Sequence, residues 1–127
     1  MSELLEQKNG ARTTQEVLTH HLNCFGDIAG TMADYSAEAR FFTPGGLLRG
    51  SEAIRRFFVR LFEEFAKPGM SFEMLQHEVD GDTAYIVWKA ETADYRFELS
   101  DDNFVVQNGK IVTQTFAGKI SPKSGSQ

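Results

Sequence analysis

The sequence predicts an α+β fold, in which three N-terminal helices pack on a curved, mostly antiparallel sheet and enclose a cone-shaped pocket. Up to about residue 70, apolar residues recur at helical spacing. After that point they alternate with period two, and turn signals such as Asn108-Gly109 separate the runs. Helices followed by an antiparallel meander are typical of α+β domains. The 11 Phe residues also indicate a large apolar interior or a lined cavity.

Two short helices are predicted first. Thr13 and Glu16 have the spacing of a capping box, which predicts a helix that begins at Thr13 and ends at Gly26. The apolar face of this helix includes Val17, Leu18, His21, Leu22 and Phe25. Asp27 is predicted to cap a second helix that carries Ile28, Met32 and Tyr35.

The third helix is predicted to begin at Ser51 as its cap and to end at Lys67-Pro68-Gly69. Its apolar face is broad and consists of Ile54, Phe57, Phe58, Leu61, Phe62 and Phe65. A strand over residues 39–43 precedes it and is broken by Pro44-Gly45-Gly46. The later strands are predicted at residues 71–79, 83–92, 94–99, 102–107 and 110–117.

The chain is predicted to form one domain over residues 13–120, between a flexible arm at 1–12 and a flexible tail at 121–127. Its net charge is −5 and it carries no basic stripe, which argues against nucleic-acid binding. No apolar run approaches the ~20 residues of a membrane span. The single Cys24 cannot form an internal disulfide, and no apolar signal segment opens the sequence. We therefore expect a cytoplasmic protein.

Four stretches carry a family resemblance: FGDIAGTMADYSAEARFFTP, LLRGSEAIRRFF, GDTAYIVWKAE and DDNFVVQNGKIVTQTFAG. They resemble the nuclear transport factor 2-like superfamily, which includes ketosteroid isomerase and the SnoaL-like polyketide cyclases. The resemblance covers residues 13–118. It implies a curved sheet around a pocket for a small hydrophobic ligand and a homodimer built on the outer sheet face. It does not imply one activity, because this fold supports unrelated functions.

The isomerase pattern of this superfamily is mostly missing. It needs a carboxylate base at the end of the first strand, a Tyr on the first helix and a protonated Asp on a late strand. Thr43 stands at the base position, the Tyr position falls near Thr19 or His20, and only Asp102 lines up with the acid. Steroid isomerisation is therefore not expected. Thr43 is predicted to lie at the pocket rim and to form one hydrogen bond.

Asp102 and His21 are the predicted catalytic residues, since the cyclase pattern of the family uses an Asp and a His. Asp102 shares a strand face with Phe104 and Val106, so it is predicted to point into the apolar pocket with a raised pKa. The alternative is a solvated turn aspartate. His21 lies on the apolar helix face, either as a general base or as a core-edge histidine. Its neighbour His20 is expected to be solvated.

The predicted substrate-binding residues surround this pair. By the family pattern Trp88, Gln114 and Phe116 look inward, as does Val112, and the indole N–H and the amide could orient a polar ligand atom. The predicted set is completed by Thr43, Arg49 and Phe58. Arg49 is either a surface residue or a cation beside the pocket.

The remaining polar residues give weaker indications of a functional role. Arg96 between Asp94 and Glu98 matches a hydrolase relay, but a cross-strand ion-pair ladder is favoured. Cys24 lacks an evident activating partner and is predicted to be a buried apolar residue. No metal-ligand or phosphate-loop spacing is present, so no metal or cofactor is expected.

The sequence therefore predicts an acid–base isomerase, cyclase or dehydratase that acts on a hydrophobic carbonyl compound. Two alternatives remain: a non-catalytic ligand-binding or protein-interaction domain, and a structural dimeric domain whose interior is filled by its own Phe side chains.

Overall fold

The computed structural model describes residues 11–123. It contains three helices, α1 (Thr14–Asn23), α2 (Ile28–Met32) and α3 (Ser51–Phe65). Its six strands are β1 (Tyr35–Thr43), β2 (Gly46–Arg49), β3 (Ser71–Asp80), β4 (Thr83–Glu91), β5 (Tyr95–Gln107) and β6 (Lys110–Pro122).

The strands form one curved sheet in the order β2-β1-β6-β5-β4-β3. Every neighbouring pair is antiparallel except β1 and β6, which run parallel. Helix α3 packs on β1 and β2, and α1 packs on β4 and β5. The predicted α+β architecture is therefore confirmed, with α3 inserted after the β1–β2 hairpin.

Helix starts follow the predicted capping chemistry with one exception. Thr13 and Glu16 form the complete capping box of α1, and the Asp27 side chain accepts the Gly30 amide at the start of α2. The predicted cap of α3 is wrong, because Gly50 is the N-cap and Ser51 is the first helical residue. Gly50 has φ 86° and ψ 155°, a conformation that is nearly restricted to glycine.

The first half of the sheet differs from the prediction. Tyr35 does not lie on α2, because it begins β1, four residues before the predicted strand start at Ala39. The pairing of β1 with β6 shifts register between Tyr35 and Arg40. The Pro44-Gly45 turn is also followed by an unpredicted strand, β2.

The second half of the sheet is more continuous than predicted. The strands expected at 94–99 and 102–107 are one strand, β5, with a register shift between Phe97 and Ser100. Strand β6 runs on to Pro122, past the predicted domain end at residue 120. Arg12 was assigned to the flexible arm, yet its guanidinium donates to Asp34 and to the Gly109 carbonyl. The rest of the arm up to residue 10, and residues 124–127 of the tail, lie outside the described residues.

The C-terminal end of α3 is fixed to the β4–β5 turn. The Glu64 carboxylate accepts hydrogen bonds from the buried Thr92 hydroxyl and from the Asp94 amide. Lys67 bridges Glu64 and Asp94 at 2.9 and 2.7 Å. Hydrogen bonds from Lys67 and then from Thr92 lower the pKa of Glu64 to about 2. These contacts hold the helix over the sheet and set the depth of the interior.

The interior between the helices and the sheet is largely filled by side chains. The core contains six buried Phe side chains: Phe41, Phe58, Phe62, Phe65, Phe97 and Phe104. A crevice remains that is too narrow for a water-sized sphere. It is lined by Val17, Leu18, His21, Ala84, Phe104, Val106 and Ile111. The predicted hollow is thus closed in this structure. None of the helices over residues 11–123 is long and apolar enough to cross a membrane.

Candidate functional site

A chain of hydrogen bonds crosses the buried face of the sheet. The Trp88 indole Nε1 donates to Asp102 Oδ2 at 2.9 Å, and Gln114 Nε2 donates to Asp102 Oδ1 at 2.9 Å. The Tyr35 hydroxyl donates to Gln114 Oε1. On its other side the Tyr35 oxygen lies 3.3 Å from His21 Nε2. The two predicted catalytic residues, Asp102 and His21, are therefore ends of one buried network.

The strand register explains why these side chains meet. Asp102 pairs with Ile86 on β4 and with Phe116 on β6, so all three project from the inner face. Trp88 and Gln114 lie diagonally across the neighbouring strands, within reach of the carboxylate. Asp102 is 7% exposed and Gln114 only 3% exposed. The predicted inward positions of both are confirmed.

Asp34 extends the network toward the protein surface. It is fully buried, and its carboxylate is 2.9 Å from Arg12 Nη1, 2.8 Å from His20 Nδ1 and 3.3 Å from His21 Nδ1. Burial raises the pKa of Asp34, but hydrogen bonds from His21, His20 and Arg12 outweigh burial and hold the pKa below its usual value. Asp34 is therefore an ionised anchor at neutral pH.

Asp102 has the opposite environment. Burial raises its pKa to about 6, and the hydrogen bonds from Trp88 and Gln114 only partly oppose that shift. Both donors are neutral, so they stabilise the anion less than the Arg12 guanidinium beside Asp34 does. Burial, followed by the charges of Asp102 and Asp34, raises the pKa of the Tyr35 hydroxyl well above its usual value. The site thus offers one carboxyl group that exchanges a proton near neutral pH and one phenol that stays protonated.

An aromatic group covers the inner face beside Asp102. Trp88 stacks on Phe72 at 5.5 Å and on Phe116 at 6.1 Å, and it packs against Phe97 at 5.6 Å. We call these four residues the aromatic shelf. Phe72 is 47% exposed and Phe116 is only partly buried, so one side of the shelf reaches solvent. A flat apolar molecule could stack there.

The predicted binding residue Phe58 belongs to the opposite wall. It is buried on α3, and its ring lies 6.1 Å from the His21 ring and 5.9 Å from the Tyr35 ring. Phe58 therefore shields the middle of the hydrogen-bonded chain from water.

Ser100 carries a buried polar group without a partner. Its side chain is fully buried, and among the described residues its Oγ is the buried side-chain atom with no hydrogen bond. Ser100 pairs in register with Trp88 on β4 and with Gly118 on β6. It lies two positions from Asp102 along β5, so both side chains project from the same face. A Cβ at Gly118 would clash with this Oγ, so the hydroxyl fits only because residue 118 has no side chain. Such an unpaired hydroxyl points to a missing partner.

The structure does not bring Thr43 or Arg49 to this site. The Thr43 hydroxyl donates to the Gly46 carbonyl and accepts the Gly45 amide, so both bonds stay within the β1–β2 turn. Its predicted place at the pocket rim is wrong for this reason. Arg49 is exposed and pairs in register with Arg40, on the face opposite the buried Phe41. It is a surface residue rather than a cation beside the pocket.

Arg96 also has a structural role. Its Nε donates to Glu91 across the strand pair at 3.2 Å, while Asp94 pairs with Lys67. The favoured interpretation, a cross-strand ion pair, is therefore correct, although its acidic partner is Glu91 and not Asp94 or Glu98.

His20 and Cys24 are more connected than predicted. His20 is partly exposed, but it hydrogen-bonds to Asp34, and Cys24 Sγ lies 3.4 Å from its Nε2. Burial, followed by the charges of Asp34 and Asp27, raises the pKa of the Cys24 thiol, so the thiol form is favoured over the reactive thiolate. Within residues 11–123, no group of three or more His, Cys, Asp or Glu side chains could hold a metal ion.

Sequence reasoning missed Asp34 and Tyr35. The sequence pattern predicts Tyr35 on α2 and places the phenol of the isomerase pattern near Thr19 or His20 on the first helix. The structure instead has a phenol at the start of β1, hydrogen-bonded to Gln114. The sequence does alternate from Tyr35 to Phe41, with Ala37 and Ala39 on the same side, and this period-two pattern is the signal that could have placed Tyr35 on the strand.

Comparison with known proteins agrees with this architecture. A family model described as the SnoaL-like domain matches residues 19–114. None of the curated proteins matches the sequence.

Solved structures share the fold at low identity. One is SalBIII, an epoxide hydrolase/cyclase-like enzyme with a role in pyran ring formation in the polyether salinomycin. It has a TM-score of 0.72 and 16% identity, and the match covers 87% of this chain and 95% of that one. A candidate polyketide cyclase from Sinorhizobium meliloti has a TM-score of 0.66 and 19% identity, covering 80% and 94%. A candidate ketosteroid isomerase from Kribbella flavida has a TM-score of 0.68 and 15% identity, covering 84% and 77%. At these identities the similarity establishes the fold and not an activity.

Proposed function

The chain belongs to the SnoaL-like domain family, and we propose that it binds a flat, hydrophobic carbonyl compound and transforms it by general acid–base catalysis at Asp102. The observation that carries this proposal is one buried carboxyl group with a pKa of about 6 beside an aromatic shelf. A general base works best when its pKa lies near the operating pH. Isomerisation, cyclisation and dehydration all need such a group.

The polar side chains have defined roles in this proposal. Each carboxylate oxygen of Asp102 accepts one hydrogen bond, from Trp88 or Gln114, and keeps a further lone pair that can take a proton from the ligand. Ser100, whose hydroxyl has no partner, donates to the carbonyl oxygen of the ligand. The rings of Phe72 and Phe116 move aside to admit the ligand, since both are incompletely buried.

A simple aryl ketone tests the proposal. Asp102 would remove an α-proton of 1-tetralone, and the resulting enolate would take back a deuteron in D₂O. We expect α-deuterium exchange above the buffer rate in the wild type. We also expect its loss in Asp102→Asn and its retention in Asp101→Asn, a control on the same strand. Quenching of the fluorescence of Trp88, the single Trp, measures binding in the same samples.

One observation favours a second function, a binding domain without turnover. Both oxygens of Asp102 are already hydrogen-bonded, and the crevice beside His21 is too narrow for a substrate. Binding of 1-tetralone without exchange, equal in wild type and Asp102→Asn, would support this alternative and remove the catalytic role. The absence of both binding and exchange would contradict both functions.

We also propose a cytoplasmic homodimer that forms through the outer sheet face. Phe42 and Leu47 pair in register on that face and are 39% and 37% exposed, which supports an apolar contact. The unpaired Cys24 is compatible with a reducing compartment. Sedimentation equilibrium should give a dimer for the wild type and a monomer for Phe42→Lys. A wild-type monomer at tens of micromolar would rule the dimer out.

A further inference from the structure

The directions of the hydrogen bonds in the buried chain define the protonation of His21. The Tyr35 hydroxyl donates its proton to Gln114 Oε1, so the hydroxyl oxygen can only accept a hydrogen bond from His21. The Nε2 atom of His21 must therefore carry a proton. The Asp34 carboxylate can only accept, so Nδ1 must carry one too. The arrangement in the structure therefore pairs an ionised Asp102 with a doubly protonated His21.

A protonated Asp102 would demand the opposite arrangement. The Trp88 indole is a donor only, so Oδ2 must accept and the new proton must sit on Oδ1, which faces Gln114. The Gln114 amide must then rotate to present its oxygen to Asp102 and its NH₂ group to Tyr35. The Tyr35 hydroxyl now accepts from Gln114 and donates to His21, whose Nε2 must be free of a proton.

We propose that Gln114 and Tyr35 are positioning residues that link the two ends of the chain, so that a proton on Asp102 weakens the binding of a proton at His21 Nε2. The linkage rests on the proposed role of Asp102 as the acid–base group, and it deepens that role. No proton has to pass through the amide: Asp102 exchanges with the ligand or with water, and His21, whose side chain is 10% exposed, exchanges with water.

The physical advantage is a constant charge in a dry interior. With Asp34 ionised, the network carries one net negative charge in both arrangements, because the positive charge of His21 disappears when Asp102 is neutralised. A change of net charge in a buried site costs several kcal/mol, and the linkage avoids that change when Asp102 takes its proton from water. Arg12 and His20 beside Asp34, and Asp101 beside Asp102, stay the same in both arrangements.

Nitrogen-15 NMR of the histidine rings tests the linkage without a ligand or turnover. Asn is isosteric with a protonated Asp, so Asp102→Asn should hold the second arrangement. At pH 7 we expect His21 Nε2 to be protonated in the wild type and to show the shift of an unprotonated ring nitrogen in Asp102→Asn. Asp101→Asn, which removes a neighbouring charge outside the chain, should leave the wild-type shift unchanged.

A second variant separates hydrogen bonding from simple charge attraction. Tyr35→Phe cuts the chain but keeps the charge of Asp102, so adding Asp102→Asn to it should leave the protonation of His21 unchanged. Gln114→Met cuts the chain at a second point and should give the same result if Tyr35→Phe does not fold. The linkage is wrong if Asp102→Asn leaves Nε2 protonated, or if its effect persists in both cut chains. These spectra are independent of 1-tetralone exchange, so the linkage and the proposed function can fail separately.

Discussion

The burial of Asp102 should make the stability of the folded protein depend on pH in an unusual direction. Its pKa rises from the ordinary 3.8 of an aspartate to about 6 on folding. Folding therefore favours the protonated form, and the contribution of this group to stability is fully present below about pH 4. It decreases as the pH rises through about 6. A shift of this size corresponds to about 3 kcal/mol, most of it lost between about pH 4 and pH 6.

The difference between wild type and Asp102→Asn isolates this contribution. Other carboxyl groups, among them Asp34, have a lowered pKa, and their contribution to the stability of the fold decreases as the pH falls. The plot of unfolding free energy against pH for the wild type therefore combines both effects. The Asn variant lacks the titration but keeps the shape of a protonated Asp. We expect it to match the wild type near pH 3 and to exceed it by about 3 kcal/mol at pH 8.

Urea unfolding followed by Trp88 fluorescence at intervals of half a pH unit measures that difference. Asp101→Asn is the matched control, since Asp101 is adjacent in sequence but only partly buried. Its curve should run parallel to the wild-type curve. A constant difference between wild type and Asp102→Asn from pH 3 to pH 8 would refute the assignment of a raised pKa to this carboxyl group.

Two further predictions concern single residues in the sheet and before α3. Ser100→Ala removes a buried hydroxyl without a partner, so unfolding free energy should rise by about 1 kcal/mol while 1-tetralone binding weakens. A loss of stability in the same urea assay would show that the hydroxyl has an internal partner. Gly50→Ala forces a side chain into a conformation with φ 86° and should cost about 1–3 kcal/mol. Gly45→Ala is its control, because a Cβ there meets only the Thr43 hydroxyl at 3.7 Å; equal effects of the two changes would contradict the role of φ.

Elements that depend on local chemistry could be predicted from the sequence. The capping box of Thr13 and Glu16 fixed the start of α1, and the inward face of β4 with Trp88 followed from its uninterrupted alternation. In such segments each residue's environment is set by neighbours within one turn or one strand pair.

Elements that contain a register shift could not be predicted. On β6 the prediction placed Val112 inward, but Ile111 and Gln114 are the buried residues. The pairing of β5 with β6 changes register between Val105 and Val106, and this change moves the alternation by one position. The error at Tyr35, which connects the predicted pair of Asp102 and His21, has another cause, because the alternation over residues 35–41 is visible in the sequence. A bulge is a property of strand pairing, so a single sequence does not display its position.

The contrast between the two buried carboxyl groups explains why Asp102, and not Asp34, is the acid–base candidate. Asp34 is the more deeply buried of the two, yet its pKa is lowered because Arg12 and two histidines surround it. Asp102 receives hydrogen bonds only from neutral groups, and its pKa is raised. Where two environments separate the pKa values of two carboxyl groups in this way, the group near neutrality exchanges protons and the other supplies a fixed charge. The fixed charge of Asp34 also holds His21 in place, so the anion at the surface end of the chain supports the exchangeable proton at the inner end.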